Sequence, residues 1–169
     1  GLDYHYDGTD AAAQKRAFAA QLELAYALKL PFCVHSRDAA ADTLRILKDN
    51  RGKLAYGGVM HCFSGSPETA KEYQKLGLYI SFAGPVTFRN ARRLDEVAKE
   101  VPADRILAET DSPYLAPEPY RGTMNTPKNV AKIYEKLAQL RGVPTEELAA
   151  QIRKNAHTLF TKLNAEAKK

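Results

Sequence analysis

Pro31-Phe32-Cys33-Val34-His35-Ser36-Arg37 is a short apolar run that stops abruptly in three polar residues. Nothing before His35 alternates with a polar residue, so the run reads as a strand buried on both faces. A helix precedes it. Phe18, Leu22, Ala25 and Leu28 recur at three- and four-residue steps between Asp10 and Leu30, Thr9 or Asp10 can cap the segment, and Pro31 ends it. A second helical stretch, Ala39 to Lys48, is broken at Asn50-Arg51-Gly52.

The unit then repeats. Leu54 to Met60 predicts a strand ending at His61, and Ser66-Pro67 opens a helix that Gly77 stops. Leu78 to Phe82 predicts a third strand and Arg92 to Glu100 a third helix. Arg105 to Glu109 predicts a fourth strand, running into Thr110-Asp111. A loop rich in Pro and Tyr follows. A helix then starts at Thr126-Pro127 and reaches about Leu140, and a final helix or pair covers Thr145 to Leu163. Strands beginning near residues 31, 54, 78 and 105, each followed by a helix, make a parallel sheet covered by helices in one α/β domain over residues 1–169. A doubly wound open sheet and a (β/α)8 barrel both fit this pattern. No G-x-G-x-x-G follows any strand, which weakens the nucleotide-binding version of the open sheet.

The 169 residues suffice for a core, and 44% hydrophobic with 27% charged residues is the balance of a soluble globular protein. No apolar run approaches the roughly 20 residues of a membrane span. Nothing at the N-terminus resembles a signal peptide, so the expected compartment is the cytoplasm. The net charge of +5 permits a polyanionic substrate without establishing one. Cys33 and Cys62 are expected to be buried, reduced thiols and not zinc ligands. Residues Lys162 to Lys169 read as a helical tail.

Position carries more information than composition. The apolar strands end in His35-Ser36-Arg37, in His61-Cys62-Phe63-Ser64-Gly65 and in Glu109-Thr110-Asp111. In a parallel barrel the carboxyl ends of the strands converge on one face, where active sites lie. Two imidazoles and a carboxylate there suit a divalent transition metal such as zinc or manganese, which lowers the pKa of a bound water. The bland alternative, three polar residues satisfied separately, weakens when all three fall at strand ends. Arg37 can hold a phosphate or pair with Asp38 or Glu109. Arg89 is either a rim cation or an exposed turn charge. Tyr120, Arg121 and Asn125 can stack on bases and hold phosphates, or belong to a loop packed around three prolines. His157 reads as packing, and His5 has no assigned role.

Six motifs in order resemble the TatD family of metal-dependent deoxyribonucleases. They are Gly1-Leu2-Asp3-Tyr4, Val34-His35-Ser36-Arg37, His61-Cys62-Phe63-Ser64-Gly65, Gly84-Pro85-Val86-Thr87-Phe88, Glu109-Thr110-Asp111-Ser112-Pro113 and Arg121-Gly122-x-x-Asn125-x-Pro127, with Asn155-x-x-x-Leu159-Phe160 closing the series. The resemblance implies a TIM-barrel hydrolase of the amidohydrolase type that cleaves phosphodiesters in DNA with up to two divalent ions (Zn, Mn or Mg). It implies that His35 and His61 bind the second metal. It implies that Asp111 binds the first metal and handles the proton of the attacking water. Arg37, Arg89, Arg121 and Asn125 are then expected to face the substrate.

The family's His-x-His pair has no counterpart here, and its bridging glutamate would precede Gly1. A barrel of this type has roughly 250 residues. The chain is therefore expected to cover the C-terminal portion of a (β/α)8 barrel, from about the end of strand 4 to helix 8, and to be inactive alone. It is also expected to self-associate or pair with an N-terminal part, because half a barrel exposes two sheet edges. The alternatives are a small-molecule amidohydrolase and a non-catalytic half-barrel assembly module.

Overall fold

The computed structural model describes residues 1–163, so most of the expected C-terminal tail lies outside the described residues. Six short strands and six helices follow one another: β1 (Leu2–Asp3), α1 (Ala11–Ala27), β2 (Phe32–Val34), β3 (Ser36–Arg37), α2 (Ala40–Asp49), β4 (Gly58–Met60), α3 (Pro67–Lys75), β5 (Tyr79–Phe82), α4 (Arg92–Glu100), β6 (Ile106–Ala108), α5 (Val130–Arg141) and α6 (Thr145–Leu159).

All strand pairs are parallel, and the order is β1–β3 in one sheet and β2–β4–β5–β6 in another. The two sheets are joined by one chain. β2 and β3 are the halves of a single strand that breaks at His35, whose carbonyl accepts from Leu2 N–H at 2.9 Å while the Val34 carbonyl accepts from His61 N–H at 2.9 Å. Strands thus line up in chain order. The helices do the same: α2 packs on α3, α3 on α4, α4 on α5 and α5 on α6. Order without reversal means that every crossover turns the same way, the winding of a barrel wall and not of a doubly wound sheet.

The core follows from the apolar runs. Val34, Met60, Ile80 and Ile106 lie side by side across four strands, at most 1% exposed. Truncating such a side chain to Ala costs about 2–5 kcal/mol, so this row alone fixes strand order firmly. Local signals set the helix ends. The Asp10 carboxylate accepts from Ala13 N–H at 2.8 Å at the start of α1, and Ser66 caps α3. α1 stops at Ala27, three residues before the expected Leu30, because the chain turns left-handed at Lys29 (φ 54°). The strand expected over Leu54–Met60 shrinks to Gly58–Met60, since Arg51–Lys53 forms a 3-10 turn and Gly57 takes φ 76°. The closing segment forms α6 up to Leu159; the chain then turns at Thr161–Lys162, and Leu163 is again helical.

Candidate metal centre

Each candidate side chain stands one to three residues beyond a strand. His35 follows β2, His61 follows β4, and Glu109 and Asp111 follow β6. The backbone is pinned there by the neighbouring strand. His61 N–H reaches the Val34 carbonyl, and Glu109 N–H reaches the Phe82 carbonyl at 3.0 Å. Parallel pairing therefore carries sequence-distant residues to one rim.

His61 lies between two carboxylates. Its Nδ1 is 3.0 Å from Glu109 Oε1 and its Nε2 is 3.3 Å from Asp111 Oδ1. The bond to Glu109 raises its pKa; half-burial opposes this, and the charges of Glu109 and Asp111 reinforce the rise. Glu109 Oε1 also accepts the backbone N–H of Cys62 through a short bond, where Cys62 has φ 41°. The His35 ring lies 6.0 Å from the His61 ring, tilted by 39°. Its Nε2, however, is 3.0 Å from Asp3 Oδ2, a tie back to β1. Asp3 accepts in turn from His5 N–H at 3.0 Å, and this bond is the largest reason its pKa falls. His5 Nδ1 meets Asp38 Oδ2 at 3.0 Å.

These groups border an open cleft of about 580 Å³, lined by His35, Arg37, His61, Cys62, Asp111 and Tyr114 among others. Its size suits a small ligand or one segment of a larger one. Donors held about 2.0–2.2 Å from a tetrahedral ion stand a little over 3 Å apart, so His61 Nε2 and Asp111 Oδ1 fit as two ligands of one cation. With His35 Nε2 turned to Asp3, the described residues contain no group of three His, Cys, Asp or Glu placed to hold a metal. Among the described residues, His61 and Asp111 are the candidate donors that lie 3.3 Å apart.

A loop from Ser112 to Thr126 carries Asp111 at its root, with Asp111 itself left-handed (φ 56°). Asn125 clasps this loop. It is 3% exposed, its Nδ2 donates to the carbonyls of Thr110 and Tyr114 at 2.7 Å each, and its Oδ1 accepts from Thr126 N–H and Asn129 Nδ2 at 2.9 Å each. In this structure the Asn125 amide is spent on the loop and on Asn129 instead of facing the cleft.

The arginines divide. Arg37 is exposed at the cleft, its guanidinium 5.6 Å from the Tyr6 ring, and Asp38 pairs with His5 instead of with it. Arg121 stacks 4.3 Å over Phe88, and Arg89 is exposed on the same turn after β5. Neither Arg89 nor Arg121 is among the residues lining the cleft.

Both cysteines are free. Cys62 is half-buried, short of the expected full burial, and burial, with Asp111 and Glu109 adding to it, pushes its thiol up to about 12. Cys33 departs from expectation: it is exposed, on β2 at the edge of the four-stranded sheet. His157 is half-buried on α6 and is not part of the cleft.

A family model described as TatD related DNase matches residues 1–161. The chain belongs to the TatD family. It is 48% identical over 160 residues to YabD of Bacillus subtilis (strain 168) and likewise 48% identical to YcfH of Escherichia coli (strain K12), each named an uncharacterized metal-dependent hydrolase. These matches cover 95% of this chain and 62% and 60% of the two relatives, so this TatD chain spans about three fifths of their length. Among solved structures, the TatD homolog YJJV of Escherichia coli K12 superposes with a TM-score of 0.90 at 32% identity, over 95% of this chain and 61% of that one. A TatD family hydrolase of Entamoeba histolytica shares the fold with a TM-score of 0.80 at 23% identity, over 95% and 61%. The architecture is thus that of TatD structures, and the names of the sequence relatives support use of a metal.

Proposed function

We propose that this TatD chain forms part of a metal-dependent phosphodiesterase acting on DNA, with Asp111 as proton acceptor and with His61, Asp111 and a reoriented His35 as metal ligands. The observation that carries the reading is the spacing of His61 Nε2 and Asp111 Oδ1, 3.3 Å, on the wall of a cleft at the carboxyl ends of parallel strands. A bound Zn, Mn or Mg ion would supply Lewis acidity at phosphoryl oxygen and acidify a nearby water. Asp111 would be the acceptor for that water's proton. Arg37, at the cleft edge, holds a non-bridging phosphate oxygen, and Arg121 and Arg89 hold the flanking backbone. The net charge of +5 favours the polyanion.

In this reading the chain is the C-terminal portion of a TIM barrel. The remaining ligands come from the part of the relatives that it does not span, by pairing or self-association. A cytoplasmic setting suits its two unpaired thiols, and no helix among the described residues is long and apolar enough to cross a membrane.

The test is hydrolysis of single-stranded DNA with manganese or magnesium. The chain alone is expected to be slow. Co-expression with the remaining N-terminal segment of YabD is expected to give chelator-sensitive activity that His61→Ala removes. No cleavage in the combined preparation overturns the nuclease reading. Fast cleavage by the chain alone overturns the partial ligand set.

A further inference from the structure

We propose that Glu109 is a positioning residue that holds His61 in its Nδ1–H tautomer and so presents the Nε2 lone pair to a cation. Nothing in the sequence motifs singled Glu109 out for this, and the reading rests on His61 as a metal ligand. An ionised carboxylate accepts hydrogen bonds and donates none. Glu109 Oε1 is the nearer carboxylate oxygen, 3.0 Å from Nδ1 against 3.3 Å from Nε2 to Asp111 Oδ1, so the proton in a neutral ring belongs on Nδ1. The lone pair then sits on Nε2, the atom 3.3 Å from Asp111 Oδ1. In water the neutral imidazole favours the opposite tautomer, so the protein has to impose this one. Metal-binding histidines commonly donate their second N–H to a carboxylate or carbonyl, which orients the ring and raises its basicity.

Glu109 is itself placed firmly. It is the first residue beyond β6, its N–H is tied to the Phe82 carbonyl at 3.0 Å, and its Oε1 also takes Cys62 N–H. The second bond matters because Cys62 is the residue after His61 and has a left-handed backbone (φ 41°). One oxygen thus fixes both the ring and the peptide that carries it. The carboxylate links β6 to the end of β4 across the intervening β5, and the imidazole cannot swing away without breaking its bond to Glu109.

The experiment compares the chain with Glu109→Gln and Glu109→Asp. Long-range proton–nitrogen NMR, at a pH where the imidazole is neutral, reads the His61 tautomer without any metal present. The native chain is expected to show Nδ1–H. Glu109→Gln is expected to populate Nε2–H, because the amide can turn its NH2 toward Nδ1. Zinc titration is expected to show about 10–100-fold weaker binding in Glu109→Gln, with partial recovery in Glu109→Asp. An unchanged tautomer in Glu109→Gln overturns the proposal, as does zinc affinity within about twofold of native. A native chain that binds no zinc but holds the Nδ1–H tautomer overturns the metal reading of His61 and leaves the positioning role supported.

Discussion

Gly84 packs directly beneath the carbonyl oxygen of Leu115: a Cβ built on Gly84 falls 1.7 Å from that oxygen and 2.9 Å from its carbon. The contact joins the turn after β5 to the loop rooted at Asp111. Only a residue without a side chain allows the two backbones to approach so closely. Gly84→Ala is therefore expected to push the loop outward while the sheet stays folded. The expected loss is about 1–3 kcal/mol, the range for overpacking. Denaturant unfolding checks this, alongside zinc titration, which is expected to weaken as Asp111 shifts.

Asn125→Ala is expected to behave as a stability mutant. It strands the Thr110 and Tyr114 carbonyls and removes the acceptor for Asn129. A buried group left without a partner costs about 1–3 kcal/mol, and the Asn129 amide, buried beside Asn125, is such a group. Thermal unfolding is expected to show a drop of several degrees or more. A change in DNA affinity with unchanged melting would point to a substrate contact instead.

Acid stability has an identifiable contributor. The Asp42 carboxylate is held down to about 2 by Lys15 first, then by the Tyr4 hydroxyl and Arg45, against some desolvation. A lowered folded-state pKa means stability that is fully present above the unfolded value of about 4 and is lost as pH falls toward 2. Asp42→Asn is expected to flatten the acid limb of the stability curve between those two pH values. Equal slopes for native and variant chains in that window would exclude the assignment.

His61→Ala is expected to lower the bound metal measured by elemental analysis after exhaustive dialysis, since it removes one of the two donors 3.3 Å apart. Unchanged stoichiometry would place the metal elsewhere.

Arg37→Ala, Arg89→Ala and Arg121→Ala address the nucleic-acid reading. A cation that contacts a phosphate of single-stranded DNA contributes about 0.7 to the slope of log affinity against log salt. Each substitution at a contacting position is expected to reduce the slope by roughly that amount. Arg121 has a second part: it stacks on Phe88, so its loss is also expected to loosen the turn that bears Arg89. Salt slopes identical to native for all three variants would remove DNA from the proposal.

The barrel wall was readable because parallel strands buried on both faces leave an unbroken apolar stretch, and Val34, Met60, Ile80 and Ile106 each sit in one. The places of His35, His61 and Asp111 were readable for the same reason: each is polar where an apolar run gives out. Pairing was less legible. Which carboxylate meets which imidazole depends on contacts across strands, such as Asp3 with His35, that periodicity does not encode. Glu109 was the first polar residue after the last strand, and that signal could have selected it. The loop misled because an amide among tyrosines and an arginine suits both a base contact and a clasp, and only burial separates the two. Cys33 misled because residue type predicts burial on average, while its place on an edge strand decides it here.

The strand that breaks at His35 belongs to two sheets, and its histidine faces the cleft only when both are aligned. Pairing of Leu2 with Ser36 sets one side, and pairing of Val34 with Met60 sets the other. A slip of a single residue in either turns alternate side chains to the opposite face. With His35 in the ligand role proposed above, capture of a cation would also check the backbone register, because a polypeptide that has closed its strands out of step would present no imidazole at this position.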